Sequence, residues 1–145
     1  MPQTNDIQNN GPLFVDANVF LRFLTNDVPD QAAIVEDLFH RAAAGELHLV
    51  TNATVLAELV WVLESFYGLP RPDVQERAMA VAQMQGLSLP EADVVTDALL
   101  AYARHNVDYT DAFNAKWMAA HGLTKVVTFD EKHFSRFEEI EVQRF

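Results

Sequence analysis

Residues 13–24, Leu-Phe-Val-Asp-Ala-Asn-Val-Phe-Leu-Arg-Phe-Leu, constrain the fold more than any other stretch of the chain. A short apolar run of strand type meets a carboxylate, Asp16, and from Val19 onward the apolar residues recur at helical spacing. A strand that ends on an acid and turns straight into a helix sets that acid at the carboxyl edge of a sheet, where open α/β sheets bind their ligands. An Asp just before a helix is equally a simple cap. The two readings separate only through what later segments bring to the same edge.

Those segments follow a regular alternation. Asn26-Asp27-Val28-Pro29-Asp30 is a turn and cap that opens a helix over residues 30–44, stopped by Gly45. Residues 47–51 read as a second strand, and Asn52 or Thr51 caps a helix over 54–67, ended by Gly68. Leu69-Pro70-Arg71-Pro72 is a rigid connector to a helix over 73–85 with Val74, Ala78, Val81 and Met84 on one face. Leu87-Ser88-Leu89 is strand-like, Pro90 opens a helix to His105, and Asp108-Tyr109-Thr110-Asp111 starts another that Gly122 closes. A strand over 125–128 runs into Phe129-Asp130, followed by a helical turn over 131–137 and an extended piece over 140–142. Strands separated by helices predict an α/β fold: a central, mainly parallel sheet with helices on both faces. No internal repeat or second domain is visible; residues 1–12 read as a flexible tail and 13–145 as one domain.

Composition narrows the chemistry. Of 145 residues, half are apolar, enough for a real core. The chain has no cysteine, which excludes disulfides and thiolate metal sites and suits a reducing cytosol. No apolar run approaches the roughly 18 residues of a membrane span, and the polar start lacks a basic segment followed by an apolar one. A cytoplasmic protein with no membrane contact is expected. The net charge of −11 disfavours nucleic-acid binding through the chain's own lysines and arginines. A polyanion would need local cations or bound metal, whereas a basic protein partner would need neither.

Four carboxylates have distinctive settings. Asp16 and Asp130 each follow a strand, Asp111 lies in the first turn of a helix, and Glu58 borders an apolar helical arc. On a wheel at about 100° per residue, Val55, Leu59, Val60, Val62, Leu63 and Phe66 fill that arc. Glu58 is then expected to face inwards, Glu64 to face water, and Trp61 to be exposed. Each acid also has a plainer reading: Asp16 as a cap, Asp111 with Asp108 as a variant capping arrangement, Asp130 as a turn residue. Several carboxylates brought together repel unless a proton or cation intervenes, and Mg²⁺ or Mn²⁺ is the natural compensation. The five histidines show no paired metal-ligand spacing and read as surface or core residues. A haloacid-dehalogenase-type phosphatase wants a second acid two residues after the first; Asn18 stands there instead.

Phe14-Val15-Asp16-Ala17-Asn18-Val19 resembles the opening motif of the PIN-domain ribonucleases, particularly VapC-type toxins of bacterial toxin–antitoxin pairs. Leu56-Ala57-Glu58-Leu59-Val60 resembles their second acidic motif and Asp108-Tyr109-Thr110-Asp111-Ala112 their third. Residues 126–134 resemble the fourth, with Thr128 and Asp130 matching and Phe134 at its aromatic position. The helix after Asp111 departs from the pattern, with Asn114, Lys116 and Trp117 where smaller apolar residues are commoner.

The resemblance implies a PIN fold and a Mg²⁺- or Mn²⁺-dependent endoribonuclease leaving a 5′-phosphate and a 3′-hydroxyl. It makes Asp16, Glu58, Asp111 and Asp130 the catalytic acidic quartet that holds the metal, with Asp16 and Asp111 as the foremost direct ligands, Asn18 and Thr128 as second-rank or substrate-positioning groups and Asp108 as a further acid. It also implies RNA as substrate and an antitoxin protein as partner, while Trp61 and its neighbours suggest a surface for a homodimer or antitoxin. Arg22, Lys116, Lys125, Lys132, His133 and Arg136 are the cations near the expected edge. The alternative is a binding module whose acidic pocket docks a basic protein without catalysis.

Overall fold

In a computed structural model, which describes residues 7–145, each strand is separated from the next by one or two helices. The order is β1 (Leu13–Phe14), α1 (Ala17–Thr25), α2 (Pro29–Ala43), β2 (Leu49–Val50), α3 (Ala53–Ser65), α4 (Arg71–Ala82), β3 (Leu87–Ser88), α5 (Ala92–His105), α6 (Tyr109–Ala120), β4 (Lys125–Val127), α7 (Glu131–Phe134) and β5 (Glu141–Gln143). All strand pairs are parallel, as the helical crossovers between them require. The ladder β1-β2-β3 pairs Leu13 with Leu49 and Leu49 with Leu87; a second ladder pairs Val126 of β4 with Val142 of β5. The α/β class is as expected from the alternation. The regular pairing is shorter than expected, two or three residues per strand, and falls into two ladders rather than one.

Ladders this short cannot stand without a covering layer. That layer is the seven helices of the described residues. Phe20, Leu56, Leu59, Leu63, Val74, Val81, Val95, Leu99 and Tyr102 are fully buried, each contributing about 1.5–3 kcal/mol if removed wholly from water. Thr51 is the one buried polar residue of the described core, and its hydroxyl donates to the Val15 carbonyl at 3.0 Å. That bond ties the end of β1 to the start of α3 immediately beside Asp16.

Several helix ends differ from expectation for local reasons. α3 stops at Ser65, so Phe66 is its C-cap and is 77 % exposed. α4 begins two residues early because Pro72 is tolerated in a first turn, where its missing N–H is not needed. α5 starts at Ala92, after Glu91 adopts a left-handed conformation. Residues 1–6 of the expected flexible tail lie outside the described residues. Beyond them, Ile7 packs against the core and its carbonyl accepts from Arg41 Nη2 at 2.9 Å.

The corner between α1 and α2 is fastened to the end of α3 by Asp27. Its carboxylate accepts from the Tyr67 hydroxyl at 2.6 Å and the Thr25 hydroxyl at 3.0 Å, with Arg22 at 3.3 Å. Chiefly through the Tyr67 bond, the Asp27 carboxyl is held below its ordinary value. A carboxyl that titrates lower when folded stabilises above its unfolded pKa, and that stability is lost as pH falls through the folded value. Tyr67→Phe is therefore expected to lower the melting temperature modestly at neutral pH, with the gap to wild type closing below pH about 4. A gap that stays constant between pH 7 and pH 3 would contradict this.

Gly86 is the described glycine packed most closely, against α2. It has a φ of +86°, and a Cβ there would lie 2.3 Å from the Ala42 carbonyl oxygen. Gly86→Ala combines backbone strain with a backbone clash and is expected to cost about 3 kcal/mol or more. Urea denaturation tests this, and a cost under about 1 kcal/mol would show that α2 yields easily.

Candidate active site

Two aspartates converge on one imidazole. Asp111 stands in the first turn of α6, where the helix dipole favours a carboxylate. Asp130 follows β4 and caps α7, accepting from the His133 backbone N–H at 3.4 Å. Its own backbone N–H donates to Thr128 Oγ1 at 2.9 Å, so Thr128 shapes the turn that presents it. His133 Nδ1 lies 2.7 Å from Asp130 Oδ2 and 3.2 Å from Asp111 Oδ2. Two ionised carboxylates against one ring nitrogen require that nitrogen to donate.

The electrostatics of the two acids differ. Burial and then the Asp130 charge push the Asp111 carboxyl above its ordinary value, and His133 only partly offsets them. The hydrogen bond from His133 pulls the more exposed Asp130 below its ordinary value. Asp111 thus carries the unrelieved repulsion of the pair. Asp108 adds to it, with an exposed carboxylate that makes no capping bond to α6.

Asp108 is held from the other side. The Arg71 guanidinium donates to the Tyr102 and Val107 carbonyls and lies over the Tyr102 ring, 4.6 Å from its centre. Its Nη2 stands 4.0 Å from Asp108 Oδ1. One side chain therefore fixes both ends of the α5–α6 connection. Ligand atoms of Asp108, Asp111 and His133 lie within 4.8 Å of one another, the only such group of three among the described residues. Two oxygens and an imidazole nitrogen with excess negative charge fit a divalent cation that accepts mixed oxygen and nitrogen ligands.

The expected quartet is gathered only in part. Asp111 and Asp130 meet through His133, and Asp108 joins them. Asp16 is exposed and caps α1, its Oδ1 accepting from the Ala17 N–H at 2.8 Å. Asn18, also exposed, lines a separate cleft of about 420 Å³ with Arg22 and Gln31. Glu58 corrects the helical-wheel expectation: it is exposed, and Glu64 is partly buried. The buried face of α3 is Val55, Leu56, Leu59, Val60 and Leu63. Phe66 lies beyond the helix and Val62 is only half-buried, so the true arc swings away from Glu58 and towards Glu64.

Ala57, Val60, Trp61 and Glu64 form one stripe facing Asp108, Thr110 and Asp111 across a cleft of about 350 Å³. Glu64 accepts a hydrogen bond from the buried Tyr102 hydroxyl. Trp61 is 66 % exposed, as expected. Sequence reading placed His133 near the edge as a cation but missed its pairing with the aspartates, and it missed Glu64 as a site group altogether. The i, i+3 spacing of Asp130 and His133 was the available signal for the first; nothing local points to the second.

Half of the expected edge cations are committed elsewhere. Arg22 is bound to Asp27 and Gln31, Arg136 to the His105 and Asn106 carbonyls, and Lys116 lies 3.6 Å from Glu139. No helix of the described residues is long and apolar enough to cross a membrane.

A family model described as PIN domain matches residues 13–140. No curated protein matches the chain. If Asp108, Asp111 and His133 hold a cation, calorimetric titration with Mn²⁺ should show Asp111→Asn weakening binding about tenfold or more. Glu58→Gln should weaken it far less, and an equal loss would place the cation elsewhere.

Proposed function

The chain belongs to the PIN domain family, and on that premise we propose that it is a divalent-metal-dependent endoribonuclease, the toxin of a VapC-type pair. Membership of this family points to a nuclease; RNA as the target, the metal and the toxin role are our reading. The observation that carries it is the approach of Asp111 and Asp130 to one imidazole, with Asp108 within ligand distance of Asp111 and His133.

Asp108, Asp111 and His133 would hold the cation, which we take to be Mg²⁺ or Mn²⁺. When bound, it supplies positive charge against the phosphate and Lewis-acid activation of water for attack on the phosphodiester. The chain's own groups do the positioning. Arg71 fixes Asp108, the α6 backbone fixes Asp111, and Thr128 fixes the turn that carries Asp130. Asp130 holds the imidazole through the 2.7 Å bond and so sets which ring nitrogen carries a proton. Asp16 and Glu58 we keep as outer acids of the quartet, on their motif positions and their open access to solvent.

An acidic cleft on a chain of net charge −11 suits inhibition by a basic arm. We propose an antitoxin of that character. Exposed Trp61 and Phe66, at 66 % and 77 %, would serve that partner or a second copy of the chain.

The test is cleavage of single-stranded RNA by purified protein with Mn²⁺, with EDTA added, and by Asp111→Asn. Activity should disappear with EDTA and fall about a hundredfold or more in the variant. Cleavage indifferent to both would sink this reading. Tight binding of a basic peptide without cleavage of any RNA would favour the docking module instead.

A further inference from the structure

Asp111 borders a second cleft that the acid chemistry does not use. It measures about 440 Å³, and its walls include Asn114, Trp117, Val127, Thr128 and Phe134. Asn114 and Trp117 are two of the three residues at which the helix after Asp111 departs from the family pattern. Three observations give this cleft a ligand.

The first is a flat aromatic wall held in place. Trp117 is 37 % exposed, and the His121 ring stacks on it at 4.0 Å between centres and 25° between planes. His121 Nδ1 donates to the Trp117 carbonyl at 2.8 Å, which fixes the stacking ring one turn further along the chain. An indole already ordered in this way loses little freedom when a second ring is laid against it.

The second is uncommitted polar groups at the rim. Asn114 is exposed, and no hydrogen bond of its side chain occurs among the described residues. Thr128 Oγ1 accepts from Asp130, which leaves its own proton to donate. An amide and a hydroxyl above an apolar wall match a planar heterocycle with hydrogen-bonding edges.

The third is the charge balance. With net charge −11, and with Arg22, Arg71, Arg136 and Lys116 tied to groups within the protein, backbone attraction to a polyanion falls to few side chains, Lys125 and Lys132 among them. Contacts to the bases would add affinity that these few cations do not supply. Stacking on an aromatic side chain supplies that without regard to charge.

We propose that this cleft is a base subsite. It takes an unpaired nucleobase of single-stranded RNA, stacked on Trp117 with its edge towards Asn114 and Thr128, beside the phosphate presented to Asp111. The proposal rests on the nuclease reading for its substrate. Its test does not require cleavage. A paired base has both faces covered and cannot enter, so the subsite also selects single strands over duplexes.

The chain has two tryptophans, so Trp61→Phe leaves Trp117 as the sole indole emitter. The probe is a single-stranded oligoribonucleotide with methylphosphonate linkages, uncharged and therefore not repelled by the acidic surface. Saturable quenching of Trp117 is expected, with none from the abasic analogue of the same length. In RNA cleavage, Trp117→Ala should raise KM about tenfold with kcat changed less than about twofold, and Trp117→Phe should recover most of the loss. Absence of quenching, or equal quenching by the abasic analogue, would overturn the subsite even if Asp111→Asn abolishes cleavage. Base-dependent quenching by a protein that cleaves no RNA would support the subsite and remove the nuclease reading alone.

Discussion

Like charges brought together in a partly buried place require a compensating positive charge, and Asp111 and Asp130 are held under that constraint. His133 relieves Asp130 more than Asp111, whose carboxyl is still pushed up by burial and by its neighbour. A protein without a use for that repulsion gains nothing by retaining it. The surrounding bonds maintain it: Thr128 to the Asp130 N–H, and Arg71 across the connection that ends in Asp108.

The rest of the fold supplies the rigidity this needs. Ladders of two or three residues give few hydrogen bonds, so the helices carry the stability and the strands mainly set direction. Tyr102 shows how tightly these tasks are joined. Its ring is fully buried in the core and lies beneath Arg71, while its hydroxyl donates to Glu64 at the wall of the acidic cleft. Packing of α5 therefore orders both a cation that positions Asp108 and an acid that lines the site.

Local patterns made much of this legible. The strand–acid–helix junction at Asp16 and the settings of the acids at Asp111 and Asp130 are each encoded in a few neighbouring residues, and the alternation of elements in the pattern between them. The failures have a common cause in longer-range geometry. Glu58 was expected to face inwards because Phe66 was counted on the helix; the helix ends one residue earlier, and the arc turns. His133 was set aside for want of a second histidine, yet its partners are aspartates, one of them on another helix. Arg22, Lys116 and Arg136 were expected near the edge, and only the folded chain shows which partners occupy them. Side-chain partnership across elements leaves no periodic trace in a sequence.

The central claim is that His133 and the aspartates around it form the cation site. Pulsed electron paramagnetic resonance of Mn²⁺ added to the protein tests this directly, because a coordinated imidazole imprints nitrogen-14 modulation on the manganese echo. The arrangement predicts that modulation in the wild-type protein and its loss in His133→Gln with the fold retained. Bound Mn²⁺ with no nitrogen modulation, or modulation unchanged by His133→Gln, would contradict it.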